Sequence, residues 1–122
     1  MNEKAPVVVL VTLQRHCARL IRSGADMALK ERCPLKVVHV AKAEGMTQAD
    51  ILNDLYALAN EAGAEMCVLM SEDMVAAAAE YAGSISAKRI VMGAGERAQN
   101  IAEALSGLLP GVRILILEPE QP

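Results

Sequence analysis

The sequence predicts an α/β protein: a three-layer, doubly wound sheet of five parallel strands with helices on both faces. The first observation is that short runs of β-branched residues alternate with longer stretches in which apolar residues recur at helical spacing. The second is that each strand-like run is joined to the next through a helix, which favours parallel strands and right-handed crossovers. The third is the hydrophobic content of 53%, which suits a sheet buried on both faces.

The pattern predicts nine elements in one domain, 1–122. Strands are expected at 7–13, 35–41, 66–70, 88–92 and 112–117, and helices at 15–30, 47–62, 74–85 and 98–109. The breaks between them have local causes. Proline cannot continue a helix, so Pro34 and Pro110 each mark an end. Gly63 suits a left-handed helix cap, Thr47 begins a capping-box pattern, and Ser71 is placed to cap the third helix.

Composition excludes several classes of function. Aromatic residues make up 2%, with no Trp or Phe, which argues against stacking of nucleic-acid bases. The net charge is −3, so no polyanion partner is expected. No apolar stretch reaches membrane-spanning length, and the start has no signal-peptide pattern, so we expect a cytoplasmic protein away from membranes. The three cysteines form no C-x-x-C pair, which predicts reduced thiols and no metal site.

The turn after the fourth predicted strand marks the expected site. Gly93 and Gly95 directly follow the apolar residues 90–92, and a helical pattern begins soon afterwards. Glycines at such a turn let backbone approach backbone or a phosphate, and the next helix directs N–H groups to the same place. In open parallel sheets, ligands lie at such turns where the strand order reverses.

Four short segments, in order along the chain, carry a family resemblance. They are Val-Val-His-Val-Ala at 37–41, the helix-to-strand passage at 55–65, Glu-Tyr-Ala at 80–82 and Lys-Arg-Ile-Val-Met-Gly at 88–93. Together they resemble the universal stress proteins, and especially the universal-stress-like domain of bacterial potassium-sensing histidine kinases. The resemblance implies the strand order 3-2-1-4-5, with the switch point between the first and fourth strands.

The resemblance also implies a nucleotide, ATP or AMP, in the crevice between those strands. Glycine backbone would face the phosphates, N–H groups and Arg97 would supply positive potential, and Thr12 and Val40 would line the base side. The expected nucleotide-binding residues are Thr12, Val40, Gly93, Gly95, Glu96, Arg97 and Ala98.

The ATP motif of the nucleotide-binding branch, G-x-x-G-x9-G-S/T, is degenerate in this chain. Glu96 stands at its second glycine, and its last two residues fall on Ser106-Gly107 in reversed order. The acidic residue that the family places after the first strand is absent, because Leu13-Gln14 stands there. A carboxylate near phosphate is repulsive, so binding is expected to be weak.

Residues 93–98 also spell the dinucleotide fingerprint G-x-G-x-x-A, with Glu118 twenty residues further on. We interpret residues 93–98 as a tight strand–helix turn in preference to a dinucleotide site. An anion held at this turn by Arg97 is an intermediate possibility between the two. His39 alternates with apolar neighbours and is expected to be a hydrogen-bonded core residue, whereas His16 is expected to be solvated. No nucleophile, base or metal cluster is recognisable.

The leading interpretation is therefore a non-enzymatic regulatory or stress-response domain with weak nucleotide or anion binding. The alternative is a ligand-free dimerising module related to, or partnered with, a sensor kinase; an enzyme of nucleotide chemistry is the least favoured class. The last strand would be an apolar edge strand, through which family members pair. The expected homodimer interface is Val112, Arg113, Ile114, Leu115, Ile116 and Leu117.

Overall fold

The computed structural model describes residues 5–11, 17–41, 49–95 and 97–117. Within these ranges the chain alternates strand and helix, as the sequence predicts. The strands are β1 (Val7–Val11), β2 (Leu35–Ala41), β3 (Glu65–Met70), β4 (Arg89–Gly93) and β5 (Arg113–Leu117). The helices are α1 (Cys17–Glu31), α2 (Ala49–Glu61), α3 (Met74–Ser84) and α4 (Ala98–Leu108).

The five strands form one parallel sheet in the order β3-β2-β1-β4-β5. This confirms the predicted fold class and the strand order that the family resemblance implied. β1 lies at the centre, and all five of its side chains are buried, which explains its uninterrupted apolar run. Because β1 pairs with β2 on one side and β4 on the other, the order reverses between β1 and β4.

The sheet separates two aliphatic cores. Residues 7, 9 and 11 of β1 face α1 and α2, whereas residues 8 and 10 face α3 and α4. Small residues bring the second pair of helices close to the sheet. Within the alanine run, Ala78 and Ala79 are buried, and Ala82 one turn later is fully enclosed. The alanine run at 76–79 therefore serves helix–sheet packing.

Gly24 of α1 is buried against β1 and β2. A Cβ at this position would lie 2.3 Å from Val9 Cγ2 and 3.3 Å from Leu35 Cδ1. Real Cβ atoms do not make contacts as short as the first of these. Glycine therefore sets the distance between α1 and the sheet, even though it is a poor helix former.

Three helices end in the same way before the strand that follows. The left-handed position is filled by Arg32 after α1, Gly63 after α2 and Ser86 after α3. In each case the next residue donates its N–H to a carbonyl five residues back, as from Cys33 to Ala28 at 2.9 Å. The predicted cap at Gly63 is therefore confirmed, while the other two ends use non-glycine residues.

The cap of α3 differs from the prediction. Asp73, and not Ser71, is the N-cap residue, and its Oδ1 accepts from the Ala76 N–H at 3.0 Å. Ser71 Oγ instead accepts from the Asp73 N–H at 3.0 Å and so supports the turn that leads into the helix. Both residue types favour caps, so the local sequence did not distinguish them. Thr47, the other predicted cap, lies outside the described residues.

Tyr81 of α3 gives a pH-dependent prediction. Burial, reinforced by Cys67 and Glu65 of β3, raises the pKa of Tyr81 from 10.0 to about 12. Because folding favours the protonated phenol, this contribution to stability is complete below about pH 10 and is lost as the pH rises through about 12. In a Tyr56→Phe variant, the ultraviolet absorbance of tyrosinate should report Tyr81 alone and show this late titration. Titration near 10 in the folded variant would contradict the described packing.

Candidate nucleotide site

The carboxyl edge of the sheet contains the only topological switch point of this strand order. Val11 ends β1 and Gly93 ends β4, while the chain leaves these strands toward opposite sides of the sheet. The β1–β4 register pairs Leu10 with Met92, and one step further it brings Val11 beside Gly93. The structure therefore places the glycine turn at the edge where ligands of open parallel sheets lie.

Gly93 and Gly95 are both exposed, and neither has the positive φ angle that favours glycine. A Cβ at Gly93 would make an ordinary 3.8 Å contact with Leu20 Cδ2, and one at Gly95 would meet nothing within 4 Å. The described packing therefore does not require glycine at either position. This contrasts with Gly24, where a side chain would clash.

The turn between β4 and α4 is held by backbone hydrogen bonds. The Ala94 N–H donates to the Leu117 carbonyl at 2.9 Å, and the Ala98 N–H donates to the Gly95 carbonyl at 3.1 Å. Ala98 is also buried in the core beside α4. Ala98 thus shapes the turn, and its N–H, which was expected to face an anion, already has an acceptor.

Arg97 is an exposed cation at this edge. It is the N-cap residue of α4, and its side chain makes no capping hydrogen bond. The positive end of the helix dipole and the positively charged side chain of Arg97 are therefore both at the start of α4. Ser106 and Gly107 lie in the last turn of α4, about 12 Å along the helix axis from Ala98. They do not adjoin the glycine turn.

The remaining predicted site residues are only partly described. Val40 is half-buried near the end of β2 and packs toward the core of α3 and α4. Thr12, Glu96 and His16 lie outside the described residues. Among the residues that are described, no group of His, Cys, Asp and Glu could hold a metal ion.

His39 is a feature of this edge that sequence reasoning identified only in part. It is 7% exposed, and its Nδ1 lies 3.1 Å from the Val11 carbonyl oxygen. The prediction of a hydrogen-bonded core histidine is therefore confirmed. Its partner, the last residue of β1, depends on the register that places Val11 opposite His39. No sequence signal identified this partner.

β5, the predicted dimer interface, forms one edge of the sheet. The Arg113 N–H donates to the Lys88 carbonyl at 2.9 Å, and the Leu117 carbonyl accepts from Ala94. Residues 113, 115 and 117 therefore turn their backbone groups toward β4, whereas Ile114 and Ile116 turn theirs toward the open edge. The Arg113 N–H belongs to the ladder with β4 and is therefore not a donor at the open edge.

Known proteins resemble this chain in fold and, over part of their length, in sequence. No family model matches the chain. Over 95 residues the chain is 30% identical to sensor protein KdpD of Mycobacterium tuberculosis, in two strains. The matched segment covers 76% of this chain but only 11% of the length of these curated relatives.

Within the described residues, no helix is long and apolar enough to cross a membrane.

Two solved structures show the same architecture. A universal stress protein in complex with cAMP matches 98% of this chain and 100% of its own, with a TM-score of 0.74 and 17% identity. The universal stress protein of Archaeoglobus fulgidus in complex with dAMP matches 93% of this chain and 97% of its own, with a TM-score of 0.66 and 21% identity. These matches confirm the resemblance predicted from the sequence: the chain has the fold of the universal stress proteins, and its sequence is similar to a segment of a bacterial sensor protein.

Proposed function

We propose that this chain is a non-catalytic, universal-stress-like regulatory domain that binds an adenine nucleotide at the crevice between β1 and β4. The two similar structures hold cAMP and dAMP, so an adenosine monophosphate is the first ligand class to test. Weak binding is expected because the ATP motif of the family is degenerate here. ATP remains the second ligand to test.

The observation that carries this proposal is the pair of glycines at the switch point. Glycine loses more conformational freedom on folding than any other residue, so two glycines that the packing does not require are a cost to the fold. Close approach of a phosphate to the backbone explains both positions. The N-terminus of α4 and Arg97 lie at the same turn, and both favour an anion.

Gly95→Val should remove the nucleotide-dependent rise in melting temperature while leaving the ligand-free melting temperature nearly unchanged. The open space around Gly95 accommodates the valine, but its methyl groups occupy the place of the phosphate. The measurement is thermal unfolding with and without AMP, cAMP or ATP. For the parent protein, ligand at 100 times its Kd should stabilise by about 2.7 kcal/mol.

Gly107→Val is the matched control, because Gly107 also has nothing within 4 Å but lies in the last turn of α4. It should retain the full nucleotide response. An unchanged response in Gly95→Val would show that the ligand binds elsewhere. Absence of any response in the parent protein, at millimolar nucleotide, would overturn the proposed function.

A second candidate function, a dimerising interaction module, is favoured by the open edge of β5. Ile114 and Ile116 turn their backbone groups toward this edge. Both residues are apolar and carry no charge that would discourage strand pairing. We propose that a second copy of the chain pairs along this edge, with Val112, Leu115 and Leu117 lining the contact. A sensor-kinase partner, suggested by the match to KdpD, is the alternative occupant.

Ile114→Pro should convert such a dimer to a monomer, because proline removes the outward N–H and adds a ring at the edge. The ladder to β4 is retained, since Ile114 does not donate to it. Ile114→Ala is the control: it loses the same side-chain packing but keeps the N–H, so it should remain dimeric. Mass by size-exclusion chromatography with light scattering distinguishes the variants. A dimer that persists in Ile114→Pro would exclude pairing through this edge.

A further inference from the structure

His39 occupies the same level of the sheet as the glycine turn. The parallel register places His39 opposite Val11, and the next step of the β1–β4 register places Val11 beside Gly93. The three residues therefore form a row across β2, β1 and β4 at the carboxyl edge. All three are at positions that turn toward the side of α1 and α2.

The hydrogen bond fixes the protonation of one ring nitrogen. A carbonyl oxygen can only accept, so Nδ1 of His39 must carry a proton and donate it to the Val11 carbonyl, 3.1 Å away. His39 is the only buried polar side chain of the described residues. Breaking this bond would leave the buried ring N–H of His39 without its acceptor, which is costly.

Val11 is where this bond acts on the site. It is the last residue of β1, and it lies in the row between His39 of β2 and Gly93 of β4. Any shift in the direction in which β1 ends would change the width of the crevice beside Gly93. The residues of a binding site must be held within about 0.5 Å of the positions in which they contact the ligand.

Resting on the proposed nucleotide site, we propose that His39 is a positioning residue: its Nδ1–H fixes the end of β1 and thereby sets the geometry of the crevice between β1 and β4. His39 does not touch the ligand in this arrangement. Its effect passes through the Val11 carbonyl.

The test compares three substitutions at this position. In His39→Asn the amide nitrogen occupies the place of Nδ1 and can still donate to Val11. In His39→Gln the amide nitrogen lies one bond further out, and in His39→Leu no donor remains. We expect His39→Leu and His39→Gln to bind AMP or cAMP about tenfold more weakly than the parent, the loss of about one hydrogen bond, and His39→Asn to stay within about threefold.

Affinity should be measured by calorimetry at a temperature where every variant is fully folded, so that a simple loss of stability does not lower it. A merely structural role would lower the melting temperature of His39→Leu and leave its affinity for the nucleotide unchanged. That outcome would overturn the inference. Recovery of affinity in His39→Asn but not in His39→Gln would support it, because only the position of the donor differs.

A ligand-free measurement separates this inference from the proposed function. Hydrogen exchange of peptides that contain Val11 should be faster in His39→Leu than in the parent, and restored in His39→Asn. Peptides from β5 should exchange alike in all variants. Equal exchange at Val11 in all variants would overturn the role of His39 even if nucleotide binds. A parent protein that binds no nucleotide would overturn the proposed function, while the exchange data would still decide whether His39 fixes the end of β1.

Discussion

Gly24→Ala is expected to lower the free energy of unfolding by about 2 kcal/mol, although alanine is a better helix former than glycine by about 1 kcal/mol. The added Cβ would lie 2.3 Å from Val9 Cγ2. Val9 is fully buried and β-branched, so its χ1 angle is restricted and its methyl group has little room to move. α1 must therefore move away from the sheet, which loosens its packing on β1.

The matched control is Gly107→Ala in α4, where a Cβ meets nothing within 4 Å. Helix propensity then acts alone, and this variant should be more stable by up to about 1 kcal/mol. Urea unfolding measures the change in the free energy of unfolding for both variants. A double-mutant cycle with Val9→Ala isolates the clash, because the truncated side chain makes room for the new methyl. Additive effects in this cycle would show that Gly24 is needed for another reason.

Leu105→Ala should destabilise the protein by about 2–5 kcal/mol, the range for deleting a buried leucine side chain. Leu105 is 0% exposed and lies in the core between α3, α4 and the sheet. The side chains around it are mainly aliphatic, because the chain has no Phe or Trp. Urea unfolding measures the loss.

Leu108→Ala provides the control on the same helix. Leu108 is 57% exposed, so its truncation should change the free energy of unfolding by no more than about 0.5 kcal/mol. The two variants remove the same atoms from the same helix, and differ in burial. Similar losses in both would mean that α4 does not pack on the sheet through the face described.

Much of the fold could be predicted from the sequence because strand and helix periodicities differ clearly in this chain. The five strands and four helices match the structure, with small differences at their ends. The strand order could not be predicted from periodicity, because a βα repeat is compatible with several orders. The family resemblance implied the order that the structure shows. The cap at Asp73 could not be chosen over Ser71, because both types of side chain bond backbone N–H groups.

The position of the glycine turn could be predicted from the sequence, whereas the contacts around it could not. The apolar run followed by Gly93 and Gly95 is local in sequence, so the turn was located correctly at the end of β4. The acceptor of the Arg113 N–H and the partner of His39 depend on which residues face each other across neighbouring strands. Register is set by long-range packing, which residue types alone do not reveal.

The strand order has a consequence for how the chain is made. β1 is synthesised before the other four strands of this sheet, yet it lies at the centre, and Val7 pairs with Arg89 of β4. Domains generally fold as units during synthesis, from the N-terminal end. Until β4 has left the ribosome, the most hydrophobic strand therefore keeps one unpaired edge. The nascent chain is most exposed to mispairing in this interval, and completion of β4 closes it before β5 is added.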